Sequence, residues 1–312
     1  MVLYEGILPV DKPYGMTSHD VIDELRKILQ QKKIGHTGTL DPRATGLLVI
    51  CLERATKVSQ FLIDEDKTYE AQIKLGERST TFDEEGVIKT DTPPEFPNLS
   101  ASEIENILNE FKGVTRQKVP DYSAVKIAGE PLYKMARKGK KIDAPEREIE
   151  IKDIRLLKID LPRIDFSVTC SKGTYIRSLA NDLGERFGCG AYLSRLRRIR
   201  AGNFNIDQAL TLKEIKLYRE AGALKKFIHP IEKVLPFPCI KINKDFAPFI
   251  ISGRSPQTKD IDKVEGEFIE GDFISLKDHK DRILAIGTST IPSGILKDIE
   301  SSNFFRYVRV LN

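Results

Sequence analysis

The sequence predicts an α+β fold: a mixed, mostly antiparallel sheet domain followed by a small β-barrel-like module. Three observations predict it. Helical and strand periodicities are interspersed without the regular strand–helix–strand alternation of a doubly wound parallel sheet. A length of 312 residues exceeds one ordinary domain and suits two. The segment His229-Pro-Ile-Glu-Lys-Val-Leu-Pro-Phe-Pro238 places three prolines in ten residues, which stops a helix and favours an extended link.

Each element has its own signal. Residues 4–10 read as a short strand. Thr17 or Ser18 caps a helix with Val21, Leu25, Ile28 and Leu29 on one face. Residues 47–52 are a continuous apolar run, read as a buried strand, and 55–63 follow as a helix. Over 68–75, Tyr69, Ala71, Ile73 and Leu75 alternate as in a half-buried strand. Ser100-Ala-Ser-Glu103 is a capping box ahead of Ile104, Ile107, Leu108 and Phe111. Strands are read at 149–159 and 164–170, and helices at 174–187 and 212–227. Gly188 stands where a helix ends in the left-handed conformation. Beyond the prolines, the main short strands are 266–274, 283–287 and 305–311, with glycine turns. The expected domains are 1–232 and 238–312.

Composition narrows the function. A chain that is 40% hydrophobic can bury a core, which excludes a disordered segment. No apolar run approaches the ~20 residues of a membrane span. The first residues lack the basic and apolar regions of a signal peptide. Cys51, Cys170, Cys189 and Cys239 form no CxxC pair, so neither a zinc site nor a disulfide framework is expected. The expectation is a cytoplasmic protein with reduced thiols.

The net charge of +4 conceals an asymmetry. Residues 112–200 hold 21 Lys and Arg against 11 Asp and Glu, a net of +10, leaving −6 elsewhere. Its densest stretch is Leu193-Ser-Arg-Leu-Arg-Arg-Ile-Arg200. Arginines interleaved with Leu196 and Ile199 fit a partly buried strand presenting guanidinium groups on one side, as a polyanion partner would require. A lysine-rich solvated face is the plainer alternative.

Chemistry concentrates in Gly35-His-Thr-Gly-Thr-Leu-Asp-Pro-Arg-Ala-Thr-Gly46. Three glycines, a proline and three threonines predict a loop, here anchored on the buried run 47–52. It carries one imidazole, His36, and one carboxylate, Asp41. A phosphate loop is disfavoured because GxxxxGK[ST] is absent, and a metal site because no further ligands cluster. Asp41 is thus a catalytic candidate, while an Asp-Pro turn would account for the same residues. In Ser171-Lys-Gly-Thr-Tyr-Ile-Arg-Ser178, Tyr175 and Arg177 fall in the first turn of a helix. The macrodipole disfavours a cation there, so a facing carboxylate would compensate Arg177.

The loop Gly35–Leu48 resembles the catalytic motif of the TruB family of tRNA pseudouridine synthases. Gly6-Ile-Leu-Pro-Val-Asp-Lys-Pro-Tyr-Gly-Met-Thr-Ser18, Lys67-Thr-Tyr69, Tyr122-Ser-Ala-Val-Lys126 and Ser171–Arg177 resemble that family's other motifs, in the expected order. The C-terminal strands resemble a PUA domain, an RNA-binding β module. The resemblance implies a catalytic domain of the pseudouridine synthase type that isomerises uridine 55 of the tRNA T-loop after flipping the base. It also implies a thumb-like insertion at about 124–150.

By the resemblance, Asp41 is the essential carboxylate. Tyr69 stacks on the base, although alternation alone reads it as a core tyrosine. Arg177 pairs with Asp41, and His36 supports the space left by the flipped base. Lys12, Tyr175 and Leu196 complete the substrate-binding set. Lys126, Lys134, Lys138, Lys140, Lys141, Arg195, Arg197 and Arg198 are expected to face RNA.

No cofactor and no metal is expected, since the reaction is an isomerisation. The partner is tRNA, gripped at the T-arm and, through the C-terminal domain, at the acceptor end. No membrane partner is expected, and the protein is read as a monomer. Two rivals are a non-catalytic RNA-binding protein and a guide-RNA-dependent pseudouridine synthase subunit.

Overall fold

A computed structural model describes residues 2–90, 100–123, 125–127, 129–139, 143–296, 298–299 and 301–311. The main sheet runs in the order Gly6–Lys12, Thr45–Leu52, Ala191–Ala201, Lys67–Leu75, Arg163–Cys170, Glu146–Asp160, Gly113–Lys118. Its neighbours pair antiparallel except at Ala191–Ala201 with Thr45–Leu52, where Arg197 aligns with Thr45 and Arg198 with Gly46. The α+β expectation, mixed but mostly antiparallel, matches this topology.

The apolar run 47–52 is buried because both of its faces are covered. Leu48, Ile50 and Leu52 pack with Val21, Ile22, Leu25 and Leu29 of the Ser18–Leu29 helix. The alternate residues Leu47, Val49 and Cys51 pack with Ile283, Ile286 and Leu311 of the C-terminal sheet. A strand alternates its side chains between faces, so two covers require an unbroken apolar sequence. Full burial of such side chains contributes about 1.5–3 kcal/mol each. On Lys67–Leu75, Tyr69, Ala71, Ile73 and Leu75 share a cluster with Leu179 and Leu183 of the Ile176–Phe187 helix and with Ile104 and Leu108 of Ala101–Asn109.

Capping boxes at Thr17 and Ser100 start their helices as the residue pattern requires. Two helices differ from the sequence expectation. The segment 55–63 is a 3-10 turn, Glu53–Lys57, followed by a short helix, Ser59–Ile63. The segment 212–227 breaks at Gly222, whose φ of +68° ends Leu212–Glu220 before a 3-10 turn at Leu224–Phe227. After the proline-rich link, a sheet orders as Ile261–Glu265, Cys239–Ile242, Phe273–Lys277, Ile283–Ser289, Phe305–Val310. Arg54, which follows the Thr45–Leu52 strand, ties it to the C-terminal sheet: it donates to the Ile283 carbonyl at 3.1 Å and pairs with Glu5 and Glu232.

Candidate active site

The loop 37–46 is held residue by residue. Thr37 N–H donates to the Val49 carbonyl at 3.1 Å. Leu40 N–H donates to Ser18 Oγ at 2.9 Å, and Ser18 Oγ donates back to the Leu40 carbonyl at 3.1 Å. The Pro42 carbonyl accepts from Gly15 N–H at 2.9 Å, and Ala44 N–H closes a turn on the Asp41 carbonyl at 3.1 Å. The sequence motif around Lys12 therefore serves the loop around Asp41. Gly46 has a φ of +97° and lies against the Arg198 backbone, where a Cβ would meet the carbonyl oxygen at 2.3 Å. Only glycine fits the junction between loop and strand there.

Asp41 projects from this turn, 42% exposed at the side chain, with its Oδ2 2.9 Å from Arg177 Nε. That Nε–H is close enough for an ion pair but aims at no acceptor. Arg177 also pairs through Nη1 with Asp83 Oδ2 at 3.3 Å and donates to the Tyr122 carbonyl at 3.2 Å. A guanidinium shared between two carboxylates is fixed in orientation, and so offers Asp41 a fixed partner. Asp83 is held in turn by Thr81 Oγ1 at 2.5 Å and Glu85 N–H at 3.0 Å. Asp41, Arg177 and Asp83 line a cleft with Arg43, Ala44, Glu84, Leu193, Ser194, Arg195 and Leu196. The expected Asp41–Arg177 pair is present, and Leu196 lies beside it. Asp83 was not among the sequence candidates.

Other candidates take different places. Tyr69 is buried in one apolar cluster with Leu40, Ala44 and Leu196, and burial raises its phenol above the ordinary tyrosine range. His36 ends the short strand Ile34–His36, which pairs with the Thr45–Leu52 strand, so the start of the motif is not loop. Its Nδ1 accepts from Gly38 N–H at 3.2 Å, and burial with the Arg198 charge nearby holds its pKa below the usual imidazole value. Tyr175 caps the Ile176–Phe187 helix and exchanges two backbone bonds with the Gln117 amide, at 2.8 and 3.0 Å. It packs against the Val119, Leu132 and Ala144 cluster and does not line the cleft.

Lys12 is fully buried. Its Nζ donates to the carbonyls of Pro13, Met16 and Pro42, so the structure makes it a brace for the loop rather than a substrate contact. Burial lowers its pKa to about 8.

The basic segment divides. Lys126 and Lys134 are exposed, and Lys138 is exposed but paired with Glu130 at 2.5 Å. Lys140 and Lys141 lie outside the described residues. Arg195 stands at the cleft rim, paired with Asp165 at 2.8 Å, while Arg197 grips both oxygens of Asp11 at 3.1 and 2.8 Å. Arg198 corrects the expectation: it is 2% exposed and cannot face RNA. The register shift between Arg198 and Arg200 and the packing against Gly46 turn it inward.

Comparison with known proteins fits this geometry. A model of the TruB family pseudouridylate synthase N-terminal domain matches residues 26–176, and one of the tRNA pseudouridylate synthase B C-terminal domain matches 177–236. A protein of Staphylococcus saprophyticus named tRNA pseudouridine synthase B is 44% identical over 74% of this chain and 77% of its own length. The chain belongs to the TruB family. Another relative of that name, from Coxiella burnetii, is 39% identical over 91% of this chain and 90% of its own. Among solved structures, a chain in the crystal structure of a Cbf5-Nop10-Gar1 complex superposes with a TM-score of 0.75. It is 28% identical, over 98% of this chain and 85% of that one.

Proposed function

We propose that this TruB-family chain converts uridine 55 in the tRNA T-loop to pseudouridine. The observation that carries the reading is the Asp41–Arg177–Asp83 cluster at the mouth of a cleft, with Asp41 partly open to solvent. The reaction breaks the C1′–N1 bond, turns the uracil, joins C1′ to C5, releases the C5 proton and protonates N1. It is an isomerisation, and it asks the protein for one ionised carboxylate in a fixed position. Arg177 holds Asp41 in that position. Attack by Asp41 on base or sugar, and removal of a sugar proton, both begin from this arrangement.

A T-loop uridine is stacked, so the base must be flipped into the cleft at a cost of about a few kcal/mol. Phosphate contacts offset this, and exposed Lys126, Lys134 and Arg195 are available for them. Tyr69 serves as the platform for the base and His36 supports the vacated stack. The C-terminal sheet acts as the PUA domain that steadies the acceptor end. The protein works on tRNA as a cytoplasmic monomer.

The likeness to a chain in a multiprotein complex supports a second reading, in which other components are needed. A bare tRNA transcript labelled with tritium at uracil C5 distinguishes them. One equivalent released from the transcript, and none when position 55 is cytidine, supports the first. Release only when a guide RNA or partner protein is added supports the second.

A further inference from the structure

Arg198 has a placement that RNA contact does not explain. Its Nε donates to the Leu47 carbonyl at 2.7 Å and Nη2 to the Gly38 carbonyl at 3.1 Å. It stands directly across from Tyr69 in the antiparallel pairing of Ala191–Ala201 with Lys67–Leu75. Directly opposed residues share a face of the sheet, which puts the guanidinium and the Tyr69 side chain on one side. Among the described residues no carboxylate pairs with it. A buried cation without a counter-ion is costly, and an apolar side chain of similar volume would fill the same space more favourably. Its partners are instead the carbonyls at the two ends of the catalytic loop, and Tyr69 is its cross-strand neighbour. Gly38 and Leu47 bracket Asp41 in sequence, three residues before it and six after.

We propose that Arg198 is a positioning residue for the isomerisation. One planar guanidinium fixes the Asp41 loop and the strand that carries it, on the sheet face it shares with Tyr69, so that carboxylate and tyrosine ring meet the uracil in a single geometry. A lysine at this position offers one nitrogen in place of two fixed, separated donors and holds the two carbonyls less rigidly. The charge has a second consequence. When the C1′–N1 bond breaks, its electron pair leaves with the ring, and the uncompensated cation behind Tyr69 favours that anion. The C1′–C5 bond then forms, the C5 proton departs to solvent and N1 takes a proton up from solvent, so no further reactant is needed.

This inference rests on the pseudouridine-forming reading, and its test separates the two. Arg198→Met, Arg198→Lys, Tyr69→Phe and the two double variants are compared by thermal melt, tRNA affinity and single-turnover tritium release. Arg198→Met is expected to keep affinity within about threefold of the wild type and to slow the single turnover at least about thirtyfold. Arg198→Lys recovers part of that rate. Each double variant is no slower than the slower of its single parents, because the two residues act as one unit.

Additive losses at Arg198 and Tyr69 would overturn the proposal, as would a loss of affinity that accounts for the loss of rate. So would a wild-type rate in Arg198→Lys, which also decides the matter if Arg198→Met does not fold. A wild-type enzyme that releases no tritium would instead overturn the parent reading, and this inference with it.

Discussion

Replacing Asp83 by asparagine tests whether the second carboxylate of the cluster matters to the chemistry. The change keeps volume and shape but removes the charge that faces Arg177 Nη1 at 3.3 Å. Asparagine can keep an oxygen toward Thr81 Oγ1 and Glu85 N–H, as Asp83 Oδ1 has now. Its amide nitrogen then points a donor at a guanidinium donor. Both side chains are nearly buried, 8% exposed for Arg177 and 11% for Asp83. Breaking a buried pair by removing one charge costs about 3–5 kcal/mol. Asp41 remains 2.9 Å away as a second counter-ion and offsets part of this, leaving about 2–3 kcal/mol. Arg177 is then held by Asp41 alone, and the carboxylate is drawn from its working position. If the loss falls on the transition state, single-turnover tritium release slows by about 30- to 150-fold. Affinity for tRNA changes little, because Asp83 is too buried to meet phosphate. A rate within threefold of the wild type would refute the shared role of Arg177.

Three further outcomes follow from the loop and its supports. Gly46→Ala forces a Cβ to 2.3 Å from the Arg198 carbonyl at a φ of +97°, and should cost about 2–4 kcal/mol in denaturant unfolding; an equally stable variant would contradict the close parallel pairing. His36 has its pKa lowered by burial, so below about pH 6.5 the unfolded chain binds a proton that the folded one resists. Stability should fall with pH there, and the slope should be missing in His36→Gln. Lys12 has its pKa lowered to about 8 from 10.5. Across that window the unfolded chain holds the extra proton, so stability at this site rises with pH. The difference from Lys12→Met, read by thermal melts between those limits, should grow accordingly, and a constant difference would exclude the buried cation.

Much of the fold was legible because burial imposes local patterns. An unbroken apolar run meant two covers for residues 47–52, although which elements supply them depends on the chain returning after residue 280. The Asp41 motif and the Arg177 segment were visible as unusual compositions, and the macrodipole argument anticipated a carboxylate beside Arg177. Asp83 was not visible. Phe82-Asp-Glu-Glu-Gly86 reads as an ordinary acidic turn, and only the packing of that turn against the Ile176–Phe187 helix brings it to the cluster. Arg198 was misread for a related reason. A period of two assigns side chains to faces, but a bulge and one parallel neighbour decide which face is inside. Lys12 looked like a ligand-binding lysine because nothing local announces three carbonyl acceptors, one of them thirty residues away.

The most direct measurement is tritium release from tRNA labelled at uracil C5 by the Asp41→Asn variant, at saturating enzyme and in a single turnover. The substitution preserves size and leaves Arg177 paired with Asp83. The expected result is a folded protein that binds tRNA with wild-type affinity and releases no tritium above background. Release at the wild-type rate would show that Asp41 is not the catalytic carboxylate.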